Sequence, residues 1–311
     1  MAAVGRFLRQ VARRGRLVLI LGLVTGLLAP GLAQMLGPWL PHLIVILLFL
    51  NAYRVGHAAL FRGMALEGGT IALVLVLQLV LPLAILLAFA FAGFQAVPVA
   101  TVLVLMTAAP SVTAAPSLAI MMGHDPAQTF RLLIFGTALL PFTILPVFLL
   151  SPDLGDLTAT LISALKLLAA IWLTTLVAFG LRRSLTPDLG REGTQTLDGV
   201  IAIMLAIIVV GLMSALGPTL RDAPFVVVRW LSVAVAANLG LQLATFYTLR
   251  ALGLAEMAVP AAIVAGNRNA ALFLIALPAA NTGPLLIFLA CYQIPMYLTP
   301  FLMARVYRRT D

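Results

Sequence analysis

Apolar runs of about twenty residues follow one another along the whole chain, and this repetition narrows the possible folds more than any single motif. A helix that crosses the hydrocarbon core of a bilayer needs roughly 20 mostly apolar residues. The 311 residues divide into ten such segments, near 16–35, 39–57, 69–92, 97–122, 127–150, 157–181, 197–217, 224–249, 256–278 and 282–305. Only 9% of the residues are charged and the mean hydropathy is +1.14, whereas a soluble domain carries about 25% charged residues. The expected fold class is all-α transmembrane, with ten helices and the lipid bilayer as its surroundings.

The formal net charge of +9 would point to nucleic acid in a soluble chain. Its distribution points to a membrane instead, and no nucleic-acid partner is expected. With the N-terminus inside, fifteen arginines, from Arg6, Arg9 and Arg13 to Arg305, Arg308 and Arg309, fall on one side, and only Arg221 and Arg229 on the other. Such a bias marks the cytoplasmic face and requires an even number of spans. Both termini are therefore expected in the cytoplasm, in a multi-pass inner-membrane protein. The Arg-rich opening, followed by apolar and then small residues, also resembles a signal peptide. We read it as a basic cytoplasmic tail and a first transmembrane helix, because cleavage would remove one member of the repeat described next.

Five spans precede the acidic loop Ser151 to Leu157 and five follow it. An odd number per half inverts the second half relative to the first, as in transporters built from inverted repeats. The halves are residues 1–150 and 151–311. Their fourth members are both interrupted: one carries Pro110 and Pro116 around Ser111 and Thr113, the other Gly266 with Asn267 and Asn269. Interrupted helices free backbone groups that lipid cannot satisfy, so they are tolerated only inside protein or beside a wet cavity. A matched pair is a pointer to a transport site, although Pro and Gly are common in transmembrane helices generally.

All ten acidic residues fall in loops, termini or helix ends, while two cations, Arg268 and Lys166, fall within spans. A central Arg costs about 2.5 to 3.5 kcal/mol on the gentler insertion scale, so Arg268 is a site candidate. It either contacts an anion beside the dipole of the second half-helix, bonds freed carbonyls of the fourth span and holds the crossing together, or snorkels. Lys166 lies near enough to a helix end to snorkel; a proton- or charge-carrying role is the other reading. Gln78 is a lone amide in an apolar helix, and Thr137 is expected to bond back to its own helix. Cys291 offers no disulfide partner, His42, His57 and His124 share no metal-ligand spacing, and no nucleophile or phosphate-loop motif appears. No metal, no cofactor and no enzymatic activity are expected.

The Gln78-to-Pro82 motif of span three, "AAPSVTAAPS" in span four, "GTALLP" in span five and "GNRNAAL" in span nine together resemble the bile acid:sodium symporter family, in its bacterial ten-helix form. That group is related to arsenite and auxin carriers. The resemblance implies a core of spans three to five and eight to ten, in which the two broken helices cross. It implies a panel of spans one, two, six and seven, a small organic anion bound between core and panel, a monomer, and two sodium ions behind the crossing. Gln78, Thr113, Thr137 and Asn269 match the family's polar positions. Val264 stands where the family has a sodium-binding Glu, Arg268 where it has a Gln, and Ala115 and Pro116 where it has a Ser–Asn pair. A fixed cation about 4 Å from a sodium ion would repel it by about 4 kcal/mol at an effective dielectric of 20. The expectation is a secondary transporter of a small organic anion, working by alternating access without sodium. Sodium-coupled transport on Gln78, Thr113, Thr137 and Asn269 is the first alternative, and a non-transporting anion receptor the second.

Overall fold

The computed structural model describes residues 2–56, 68–94, 97–151, 157–277 and 282–308, apart from the side chains of Ala2, Arg16 and Leu157. Most of the acidic loop at 151–157 lies outside the described residues, as do His57, Arg62 and Arg309. The described chain is all helical, its one non-helical pairing being a single bridge between Ser111 and Arg268. Among the described residues, seven helical stretches are long and apolar enough to cross a membrane. Three shorter apolar helices, Leu17–Leu28, Pro98–Ala108 and Ala255–Gly266, accompany them. The chain divides into two compact units.

The first unit comprises Met1–Met64, Lys166–Val227 and Leu274–Ala276. It contains α1 (Ala2–Arg13), α2 (Gly15–Leu28), α3 (Pro30–Leu36), α4 (Leu40–Val55), most of α10 (Leu157–Leu185) and α11 (Gly190–Asp222). Its axis is α11, whose 33 residues extend to about 50 Å and so exceed a hydrocarbon core of about 30 Å. α2 runs alongside in the same direction, with Gly22 against Ala206 and Gly26 against Met213. A Cβ at Gly26 would lie 2.6 Å from the Met213 side chain, so glycine is what lets the two helices touch. α4 runs the other way along α11: Leu40 meets Gly211 at one end, and Arg54 pairs with Asp198 at the other.

Two sequence boundaries need correction. The division between the first two apolar segments falls at Ala29 (φ −118°, ψ 69°), not near residues 36–38. Pro30 is the reason, since its fixed φ and missing N–H suit the first position of a new helix. Pro38 lies instead in a short 3₁₀ turn, Gly37–Trp39, which joins α3 to α4 within one 26-residue stretch. The basic tail is also not a tail but the helix α1, packed against α11 so closely that a Cβ at Gly199 would strike the Leu8 backbone.

The second unit comprises Ala65–Leu165, Val228–Phe273 and Leu277–Asp311. One 24-residue stretch is formed by α5 (Gly68–Leu75), a π-turn at Val76–Val80 and α6 (Leu81–Phe91). Next come α7 (Pro98–Ala108), α8 (Ala115–Met121) and α9 (Ala127–Leu150). After the first unit's α11 follow α12 (Pro224–Ala251), α13 (Ala255–Gly266), a 3₁₀ helix at Ala270–Ile275, α14 (Gly283–Leu302) and α15 (Ala304–Tyr307). Every residue of α13 from Ala258 to Gly266 is buried. Its alanines pack against Ala115, Leu118 and Ala119 of α8 and Leu132 and Phe135 of α9. Small side chains give such close packing where lipid provides no hydrophobic drive between helices.

Candidate functional site at the helix crossing

Two helices stop inside the second unit, each for a local reason. Pro110 forces the residue before it out of helical torsions; Ala109 is extended (φ −65°, ψ 151°), and α7 ends there. Helix resumes at Ala115, with Pro116 in the first turn, where no N–H is required. α13 ends at Gly266, and Asn267 (φ −116°, ψ 86°) leads the chain away. Gly266 is needed for proximity rather than torsion, since a Cβ there would collide with the Asn238 carbonyl oxygen and the Gln242 side chain. The two breaks then run antiparallel and bond directly. The Val112 N–H donates to the Asn267 carbonyl (2.9 Å) and the Asn269 N–H to the Pro110 carbonyl (2.8 Å), with Ser111 opposite Arg268.

Arg268 sits at the centre of this crossing and is only 2% exposed. Its guanidinium donates to three backbone carbonyls: Nε to Ala265 (3.1 Å), Nη1 to Ala109 (3.0 Å) and Nη2 to Leu77 (2.9 Å). Each carbonyl lacks its usual helical partner. Ala109 and Ala265 lie at helix ends, whose last carbonyls have no intrahelical donor. Leu77 lies in the π-turn, where bonds run from residue i to i−5; the Leu81 N–H donates to the Val76 carbonyl in this way. The next donor in that ladder would be Pro82, which has no N–H. The Gln78-to-Pro82 motif thus presents a free carbonyl to Arg268. Bonds to charged groups contribute about 1.5 to 3 kcal/mol each, so three of them offset the roughly 2.5 to 3.5 kcal/mol cost of a central Arg. No carboxylate pairs with Arg268 among the described residues.

The surrounding polar groups complete the cradle. The Arg268 N–H donates to the Tyr292 hydroxyl (2.9 Å), which donates in turn to the Gly266 carbonyl. Asn238 Nδ2 reaches the same carbonyl at 2.5 Å and the Asn267 Oδ1 at 3.3 Å. Asn267 Nδ2 bonds back to the Ile263 carbonyl (2.9 Å). Gln242 Nε2 donates to Asn238 Oδ1 (2.8 Å) and to Thr299 Oγ1 (3.2 Å), and its Oε1 accepts from Tyr307 (3.0 Å). On the other side Gln78 Nε2 donates to the Gly136 carbonyl (2.9 Å) and to Thr143 Oγ1 (3.2 Å).

Several of the residues picked out in the sequence meet here, and others do not. Gly266, Asn267, Arg268, Ser111 and Pro110 form the crossing, Gln78 adjoins it through Leu77, and Val264 and Ala115 are buried, apolar and next to the breaks. Thr113 and Asn269 are half-buried, and Pro116 lies in the first turn of α8. Thr137 bonds back to the Leu133 carbonyl (2.8 Å) of its own helix. Lys166 is exposed. The segments that follow the breaks have seven and six residues, the second of them 3₁₀, so neither sums a strong dipole for an anion. The sequence reading missed Asn238, Gln242, Tyr292 and Thr299. The amides at 238 and 242, one helical turn apart within "AANLGLQLATF", were the available signal.

No model of a known protein family matches the chain, and no curated protein matches it.

Proposed function

We propose that the chain is a secondary transporter of a small organic anion, working by alternating access and uncoupled from sodium, on the ten-helix inverted-repeat plan of the bile acid:sodium symporters. The observation that carries this reading is the Arg268 guanidinium. It lies among three carbonyl oxygens that meet at a helix crossing, an arrangement that would otherwise attract a bound cation. A tethered cation there leaves those oxygens unavailable to sodium and repels one nearby. Its charge has no carboxylate partner among the described residues, so the positive field around the crossing favours an anionic solute.

Three further observations support the plan. The rung formed by Val112–Asn267 and Asn269–Pro110 is two-fold in its hydrogen bonding. Gln78 bonds to Thr143 and Gln242 to Thr299, each at 3.2 Å, so each half contributes an amide–threonine pair beside its broken helix. The two compact units fall close to the panel and core that the resemblance implies, with residues 157–165 in the second unit and Leu274–Ala276 in the first. On this reading both termini are cytoplasmic, and the protein acts as a monomer in the inner membrane.

The test is thermal stability of the purified protein in sodium or choline, against a panel of organic anions, followed by flux into sealed vesicles. A ligand at a hundred times its Kd stabilises by about 2.7 kcal/mol. The expected result is no response to sodium, stabilisation by one anion class in either salt, and exchange of that anion across the vesicle. Stabilisation by sodium alone overturns the uncoupled reading, and anion binding without flux favours a receptor.

A further inference from the structure

The N-terminal helix α1 carries three kinds of residue on three stripes, and only one stripe is used inside the protein. Gly5, Leu8 and Ala12, spaced three and four residues apart and so on one helical face, are half-buried, and Leu8 packs against Gly199 of α11. Arg9, beside this stripe, pairs with Glu192 at 3.3 Å. A second stripe, centred on Val4 and Phe7, is open: these side chains are 62% and 60% exposed. A third holds Arg6 and Arg13, both exposed, with Arg14 exposed at the kink that follows. Arg6, Arg13 and Arg14 pair with no acid among the described residues, and residues 2–16 contain five arginines and no acid.

The level of α1 along α11 decides what this surface meets. α2 begins at Gly15, one residue after the kink, and is apolar from Leu17. α1 therefore lies across the level where the chain enters the hydrocarbon: Arg9 pairs with Glu192 in the first turn of α11, Leu8 meets Gly199, next to Asp198 of the Arg54–Asp198 pair, and Gly15 just beyond α1 reaches Ala202. A helix held at headgroup level, apolar on one flank and basic on the other, suits the membrane interface.

We propose that α1 docks on the anionic phospholipids of the cytoplasmic leaflet. Val4 and Phe7 enter the headgroup–acyl boundary, and Arg6, Arg13 and Arg14 lie among the phosphates. Gly199 and Glu192 tie this lipid-reading helix to α11, so the charge of the leaflet bears on the first unit.

The experiment uses the full chain in bilayers, with nitroxide labels at Val4→Cys, Phe7→Cys, Arg6→Cys or Arg13→Cys; Cys291 is buried and stays unlabelled. Collision with oxygen reports lipid and collision with a nickel chelate reports water, in phosphatidylcholine with and without phosphatidylglycerol. The expected result is oxygen contact at 4 and 7, nickel contact at 6 and 13, and a shift toward oxygen at 4 and 7 when phosphatidylglycerol is present. A juxtamembrane Arg is worth about fivefold on an anionic leaflet, so Arg6→Gln with Arg13→Gln should lower the docked-to-free ratio roughly 25-fold. Nickel contact at all four positions overturns the proposal, as does an oxygen signal indifferent to phosphatidylglycerol. Protection of 4 and 7 from both reagents also overturns it, since a protein surface then covers the flank.

Discussion

The break after α7 runs Ala109-Pro110-Ser111-Val112-Thr113-Ala114, whereas the break after α13 is Asn267-Arg268-Asn269. Both interrupt a helix within a buried layer, and both free carbonyls that need donors. The break after α13 supplies its own: Asn267 reaches Ile263, Arg268 reaches Ala265, and α12 and α14 add Asn238 and Tyr292 to Gly266. The break after α7 has almost no side-chain donors. Its Ser111 hydroxyl makes only two long contacts, both at 3.4 Å, and its Ala109 and Pro110 carbonyls take donors from Arg268 and Asn269. One break is a supplier and the other a borrower. Substitutions of polar side chains around the break after α13 should therefore damage both breaks, while those around the break after α7 stay local.

The largest effect is expected at Arg268. Arg268→Met keeps the length and removes every side-chain donor, leaving Leu77, Ala109 and Ala265 unpaired. At about 1 to 3 kcal/mol for each unsatisfied buried group, the loss is on the order of 4 kcal/mol or more in thermal or denaturant unfolding of the solubilised protein. Arg268→Lys restores one compact charge without the planar fork, so it should recover only part of this. Arg268→Ala adds a sharper test, because millimolar guanidinium ion should restore stability by entering the vacated position. An Arg268→Met protein as stable as the parent would break the comparison outright.

Gly266→Ala comes next. The new methyl group meets the Asn238 backbone oxygen, which cannot swing away, so α12 and α13 must separate. Overpacking of this kind costs about 1 to 3 kcal/mol. Because Asn238 then loses its approach to Gly266, the substitution should also lower the effect of a second change, Asn238→Leu. A double-mutant cycle measures that coupling; additive effects would mean that the two sites act independently.

Asn238→Leu and Gln78→Leu compare the two sides directly. Asn238 contacts Gly266, Asn267, Gln242 and Thr299, so its loss should cost about 2 to 3 kcal/mol. Gln78 contacts only Gly136 and Thr143, and Thr143 keeps a bond to Leu140, so about 1 kcal/mol is expected. The reverse order would show that the main supplier is the Gln78 stretch rather than α12.

How much of this was legible beforehand follows from the range of the interactions. Helix positions and the two breaks come from local rules of apolar length and proline placement, and residues 98–121 and 255–275 were recognisable from them. Arg268 stood out because burying a charge is costly wherever its partners lie. Its partners were legible only in part: freed carbonyls beside Pro110 were one expectation, and Ala109 supplies one, but Leu77 and Ala265 offer backbone oxygens whose side chains carry no trace of that use. Tyr292 and Thr299 read as ordinary residues of an apolar helix, since only the fold brings them to Gly266 and Asn267. The turn at Ala29 was misjudged because Pro30 and Pro38 look alike in sequence, and packing on α11 decides which one starts a helix.

The smallest expected effect separates the resemblance from the geometry. Thr137 matches a sodium-site position of the family, yet its hydroxyl is spent on the Leu133 carbonyl one turn back along its own helix. Thr137→Val keeps the shape and removes that single local bond, whose carbonyl already belongs to the helical ladder. A change within about 0.5 kcal/mol is expected, as for substitutions away from networks and caps, with no change in transport in sodium or in choline. Thr137 is one of the four side chains, with Gln78, Thr113 and Asn269, on which sodium coupling would rest. If Thr137→Val alters transport in sodium and leaves it unchanged in choline, a cation does visit this side of the crossing. Arg268 would then neighbour an ion rather than replace one.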